Sequence, residues 1–118
     1  MATPADNKKK GSVLVVDDRE NVLKMMNNIL QDRFEVITCS SGSNAVDRFD
    51  ASRMDLVVSD IRMPNMPGME VLTKVKRKSP ETEVVLMTAY GDVEEAVEAL
   101  KAGAYDYVIK PFEPDEMV

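Results

Sequence analysis

Five short apolar runs, at 13–16, 36–39, 56–58, 84–87 and 107–109, recur along the chain, and Val and Ile predominate in them. They do not alternate with polar residues, the pattern of central strands covered on both faces rather than of a sheet with one wet side. Between the runs the apolar spacing becomes helical. Val22, Met25, Met26, Ile29 and Leu30 make one stripe, Ala45, Val46 and Phe49 a second, and Met69, Leu72 and Val75 a third. In the fourth, Val93, Ala96, Val97 and Leu100 stand at i, i+3, i+4 and i+7, which gives that helix an apolar side opposite an exposed acidic one of Glu94, Glu95 and Glu98. Gly103 sits where a helix C′ glycine belongs. Strand and helix thus alternate along the whole chain, which predicts parallel βαβ units with right-handed crossovers and an α/β, doubly wound fold.

At 118 residues the chain has the size of one domain around one core. Residues 1–11 are polar and aperiodic and are expected to form a disordered leader, with the domain running over 12–118. The closing PFEPDEMV reads as the first turn of a fifth helix left unfinished, so the chain is expected to be a C-terminally truncated fragment of a longer protein. A net charge of -6 opposes a phosphate backbone, and direct nucleic-acid binding by this segment is not expected. Lys8, Lys9 and Lys10 have no apolar stretch of signal-peptide length behind them and no run approaches membrane-spanning length. The single Cys39 allows no internal disulfide and suits a reducing, cytoplasmic compartment. With no histidine at all, chemistry here has to run on carboxylates, hydroxyls and lysines.

In an open parallel sheet, ligands bind beyond the carboxyl ends of the strands, where strand order reverses. The first run ends in Asp17 and Asp18, the third in Asp60, the fourth in Thr88 and the fifth in Lys110. Each alone has a plain structural explanation: Asp18 as a helix cap, Asp60 as the opening of a turn, Thr88 as a strand former, Lys110 as a solvated charge. Their coincidence at four predetermined strand ends does not. Carboxylates about 4 Å apart repel by about 4 kcal/mol at an effective dielectric near 20, so three at one edge call for a cation. Oxygen ligands suit Mg²⁺, and a lysine with a hydroxyl across the cavity completes an arrangement that binds a phosphoryl group.

The segments VLVVDD, DIRMPNMPG, LMTAYG and DYVIKPF, in this order and spacing, resemble the receiver domains of two-component response regulators from about Ser12 onward. The stretch TAYGDVEEAVEALKAGAYDYVIKPF is most similar to the receivers of sigma-54 dependent, nitrogen-regulator-type activators. The resemblance implies a flavodoxin-like five-stranded sheet in the order 2-1-3-4-5. It implies that Asp60 is the phospho-acceptor, that Asp18, Asp60 and the backbone carbonyl of Arg62 ligate Mg²⁺ with Asp17 reaching it through water, and that Lys110 holds a phosphoryl oxygen before a cis bond to Pro111. Thr88 and Tyr107 match the family's switch pair. The implied partners are a sensor histidine kinase and an output domain controlling transcription, and the chain is a signalling switch rather than a turnover enzyme. Arg62 and Tyr90, each two residues past a site residue, are expected to crowd the phosphoryl group and slow its hydrolysis.

Two other readings use the same residue types. A haloacid-dehalogenase-like phosphatase would resemble DxD, with a general acid two residues beyond its nucleophile, and that position is Arg62. A pseudo-receiver that only binds partners would lack a metal ligand or the lysine, and the sequence keeps Asp17, Asp18, Asp60 and Lys110. For the acidic side of the fourth helix the plain reading is a solvated face, and the functional one a phosphorylation-dependent homodimer contact shared with the fifth strand.

Overall fold

The computed structural model describes residues 11–51, 54–88 and 93–109. Within them five strands, β1 (Ser12–Val16), β2 (Glu35–Cys39), β3 (Leu56–Asp60), β4 (Glu83–Thr88) and β5 (Asp106–Ile109), alternate with four helices, α1 (Glu20–Leu30), α2 (Gly42–Ala51), α3 (Gly68–Lys78) and α4 (Val93–Lys101). The strands are all parallel in the order β2-β1-β3-β4-β5, as the resemblance implies. All of the expected leader 1–11 except Gly11, the segment PFEPDEMV, and Lys110 with the bond to Pro111 lie outside the described residues, as does Tyr90.

The continuous apolar runs have the burial they predict only in the middle of the sheet. Val13, Leu14, Val15 and Val16 of β1 are all buried, because helices cover both faces there. Side chains alternate across the sheet. Leu14, Val16, Val57, Val84 and Leu86 join Ala45 of α2, Val71, Leu72 and Val75 of α3, and Ala99 of α4 in the larger core. Val13, Val15, Val58 and Met87 face the other way onto Leu23 of α1, with Met26, Leu30 and Phe34 at the margin. At the edges β2 and β5 are only half-covered, so Val36, Ile37, Tyr107 and Val108 are part-buried and Ile109 is exposed.

The fourth helix departs from its predicted orientation. Val93, Val97 and Leu100 are 80%, 43% and 49% exposed, while Ala99 is fully buried. The helix sits about one position out of phase with its apolar stripe. Ala99 is the helix residue that enters the larger core, and the larger side chains turn outward. Its C-terminus closes as expected: the Ala104 N–H donates to the Ala99 carbonyl at 3.0 Å and the Gly103 N–H to the Leu100 carbonyl at 3.1 Å. With Gly103 at φ 109, this is the paired 6→1 and 5→2 bonding that ends a helix on a left-handed glycine.

The β3–α3 connection is fixed by two special residues. Asn65 takes a left-handed φ of 70, which its short polar side chain tolerates. Gly68 begins α3 so close to β3 that a Cβ there would lie 2.4 Å from the Asp60 carbonyl oxygen and 2.8 Å from the Ile61 Cα. Both obstacles are backbone, so no side chain can yield. We expect Gly68→Ala to destabilise the domain by about 1–3 kcal/mol through this overpacking, measured as a lower urea midpoint at unchanged slope.

Cys39 ends β2 inside the larger core. Burial pushes its thiol pKa up, an effect the Arg48 guanidinium partly offsets. The folded state therefore favours the neutral thiol: its contribution to stability is complete below the unfolded pKa and is lost as pH rises through the folded one. Alkylation at mildly alkaline pH should run about tenfold or more slower in the folded chain than in urea, followed by mass spectrometry.

Candidate functional site

The register between β1 and β3 builds the site. Val16 pairs with Ser59 in parallel, so the next residues, Asp17 and Asp60, emerge side by side at the carboxyl edge. β1 leads first to β2 on one side and then, through α2, to β3 on the other, which makes this the point where strand order reverses. Asp17, Asp18 and Asp60 each bring one carboxylate oxygen to within 4.8 Å of the others. Asp17 and Asp60 are buried and Asp18 is exposed, so the cluster has a closed floor and an open side.

Local bonding holds these carboxylates in place. The Asp17 N–H donates to the Cys39 carbonyl at 3.1 Å, carrying the β1–β2 ladder one residue past the strands. Asp17 Oδ1 accepts the Arg19 N–H at 2.9 Å, so Asp17 organises the entry to α1. Arg19 is the N-cap residue, and no side chain caps the helix, so Asp18 is not used in that way. Ser59 Oγ donates to the Asp60 carbonyl at 3.0 Å, and the Ile61 N–H donates to the Met87 carbonyl at 2.8 Å. Sequence reasoning passed over Ser59, which is fully buried one residue before the predicted acceptor.

Thr88 ends β4 fully buried, one residue past Met87, the register partner of Asp60. Tyr107 is half-buried on β5 beside Leu86. Its hydroxyl donates to Glu95 Oε1 at 2.7 Å, and Glu95 Oε2 lies 3.4 Å from an Arg62 guanidinium nitrogen. Glu95 therefore does not stand out on a solvated face with Glu94 and Glu98, as its place in the sequence suggested. A usable signal was present: Glu95 and Ala99 are four residues apart and share the face of α4 that meets the sheet. Arg62, expected over the site, has its guanidinium against α4.

Three carboxylates with oxygen donors suit a hard divalent cation far better than a soft one. The donor set fits Mg²⁺, with room for water on the open side at Asp18.

Residues 13–118 match the response regulator receiver domain family. This chain belongs to that family. It is 44% identical over 106 residues to the regulatory protein AtoC of Escherichia coli, covering 89% of this chain and 23% of that protein. It is 37% identical to the chemotaxis protein CheY of Listeria monocytogenes, covering 90% and 91% of the two chains. A DNA-binding transcriptional regulator NtrC from Klebsiella pneumoniae is 35% identical, covering 93% of this chain and 24% of that one. The receiver thus spans about a quarter of the length of AtoC and NtrC and nearly all of CheY, and its likeness to nitrogen-regulator-type receivers is found in these relatives. Among solved structures, the Vibrio cholerae chemotaxis protein CheY4 superposes with a TM-score of 0.83 at 32% identity, covering 90% and 91% of the chains. The beryllofluoride-activated NtrC4 receiver domain dimer gives 0.82 at 31% identity, covering 89% and 88%. Among the described residues, no helix is long and apolar enough to cross a membrane.

Like-charge repulsion in this cluster costs stability when nothing neutralises it. We expect Asp18→Asn to raise metal-free stability by about 1 kcal/mol, the figure for a solvent-screened pair near 4 Å. The same substitution should reduce the extra stability conferred by millimolar Mg²⁺. Paired urea melts with and without the metal check both signs.

Proposed function

We propose that this receiver is a phosphorylation switch that accepts a phosphoryl group from a sensor histidine kinase onto Asp60. The observation that carries this reading is the convergence of Asp17, Asp18 and Asp60 at the β1/β3 switch point, where a buried carboxylate stands beside an open acidic face. An Asp60 carboxylate oxygen attacks phosphorus in line. A P–O bond forms as the P–N bond to the kinase's imidazole breaks, and the electron pair returns to the imidazole. Asp18, Asp60 and the Arg62 carbonyl would hold Mg²⁺, with Asp17 contacting it through water. When bound, the cation supplies charge neutralisation for the transferring group. Lys110 is assigned the remaining phosphoryl oxygen by sequence.

Thr88, buried at the end of β4, is assigned the donation of its hydroxyl to the new anion. Tyr107, on the neighbouring strand, is assigned the matching change of position. The chain is then a substrate and switch rather than a turnover enzyme, acting in the cytoplasm. The length of AtoC and NtrC supports a transcriptional output domain beyond the receiver, and the NtrC4 dimer supports a homodimer as the activated form.

Incubating the chain with acetyl phosphate and Mg²⁺ and reading its intact mass tests the acceptor. The wild type should gain one phosphoryl group, and Asp60→Asn or removal of the metal should abolish the gain. No gain in the wild type would favour a partner-binding pseudo-receiver. Continuous phosphate release without accumulation would favour a phosphatase.

A further inference from the structure

The chain's fourth helix is weakly anchored by apolar contacts. Of its described residues only Ala99 is fully buried, and Val93, Val97 and Leu100 face solvent. An element so poorly packed is drawn from the low-stability end of a fold, and the polar contacts it makes weigh heavily in where it sits. Glu95 makes two of them with one carboxylate. Oε1 takes the Tyr107 hydroxyl from β5 at 2.7 Å, and Oε2 faces Arg62, two residues past Asp60, at 3.4 Å. This side chain thus connects three parts of the domain: the loop leaving the acidic site, the exposed helix, and the edge strand.

We propose that Glu95 is a latch that holds α4 in the resting position and that competes with a phosphoryl group on Asp60 for the Arg62 guanidinium. The inference deepens the reading of Asp60 as acceptor and rests on it. A phosphoryl group brings nearly two negative charges and three acceptor oxygens close to the stem of Arg62, against one charge on Glu95. The planar fork of arginine suits either partner. Arg62 is about half exposed, so its head can move without opening the core. Once it turns to the site, Glu95 keeps the Tyr107 hydroxyl but loses its cationic neighbour, and α4 loses a tie to the β3 loop. Because a ligand shifts an equilibrium only by its differential affinity, this exchange of partners is the differential contact that links charge at Asp60 to α4. Glu95 touches neither phosphoryl group nor metal and is a positioning residue.

The test titrates the full chain with beryllium fluoride, a phosphoryl mimic, at saturating Mg²⁺, reading the bound ligand by ¹⁹F NMR. Glu95→Gln, which keeps an acceptor for Tyr107 but removes the charge, should lower the half-saturating concentration about two- to fivefold, the scale of one partly exposed ion pair. In an Arg62→Gln background the same substitution should have no effect, which a merely structural role for Glu95 would not produce. Melting temperatures of the variants report folding separately. An unchanged or raised half-saturating concentration in Glu95→Gln would overturn the latch alone. A wild type that binds no more mimic than Asp60→Asn would overturn the acceptor reading and the latch with it.

Discussion

Parallel pairing of β1 with β3 is the constraint on which everything else here depends. It is an apolar contact in origin: Leu14 and Val57 face one core, Val15 and Val58 the other, and both strands are buried on both sides. Yet because Val16 lies beside Ser59, the same register drives Asp17 and Asp60 together at the strand ends, where their charges repel. A slip of one residue would reverse every side chain on the strand, so the core does not permit the acids to separate. Hydrophobic burial in the middle of the sheet therefore holds carboxylates together at its edge, a condition that favours binding of cations and, with them, anions.

The residues around this edge are tied to the strands rather than to loose loops. Asp17 uses its backbone to extend one ladder and its carboxylate to start α1, and Asp60 is braced by Ser59 and by the Ile61–Met87 bond. Sites built on strand ends are held more tightly than sites on long loops. Asp18 is the exposed member, and the open side of the cluster lies with it.

Most of this was legible in the amino-acid order because the signals were local. Valine-rich runs specified central strands, acids at their ends specified an acidic cluster, and Gly103 marked a helix end that the backbone realises. What was not legible depended on phase and neighbours. The stripe of Val93, Val97 and Leu100 has the spacing of a buried face, but spacing cannot say which side of a short helix meets the sheet, and here it is the side of Ala99. Glu95 looked like one of three equivalent acids because its partners, Arg62 and Tyr107, are far away in sequence. Burial at the sheet margins was overestimated for the same reason: an apolar run does not reveal that β2 and β5 are edge strands.

The near-contact of Gly68 with the Asp60 carbonyl bears on how movement can be distributed through the domain. With no space between the start of α3 and the last residue of β3, the two backbones must move as one body. α3 then acts as a stator, clamped to the acidic edge and to the larger core through Val71, Leu72 and Val75. α4, with Ala99 as its one fully buried described residue, offers less apolar resistance to displacement. Around Asp60 the domain is thus asymmetric, tightly backed by α3 on one side and more sparsely packed at α4.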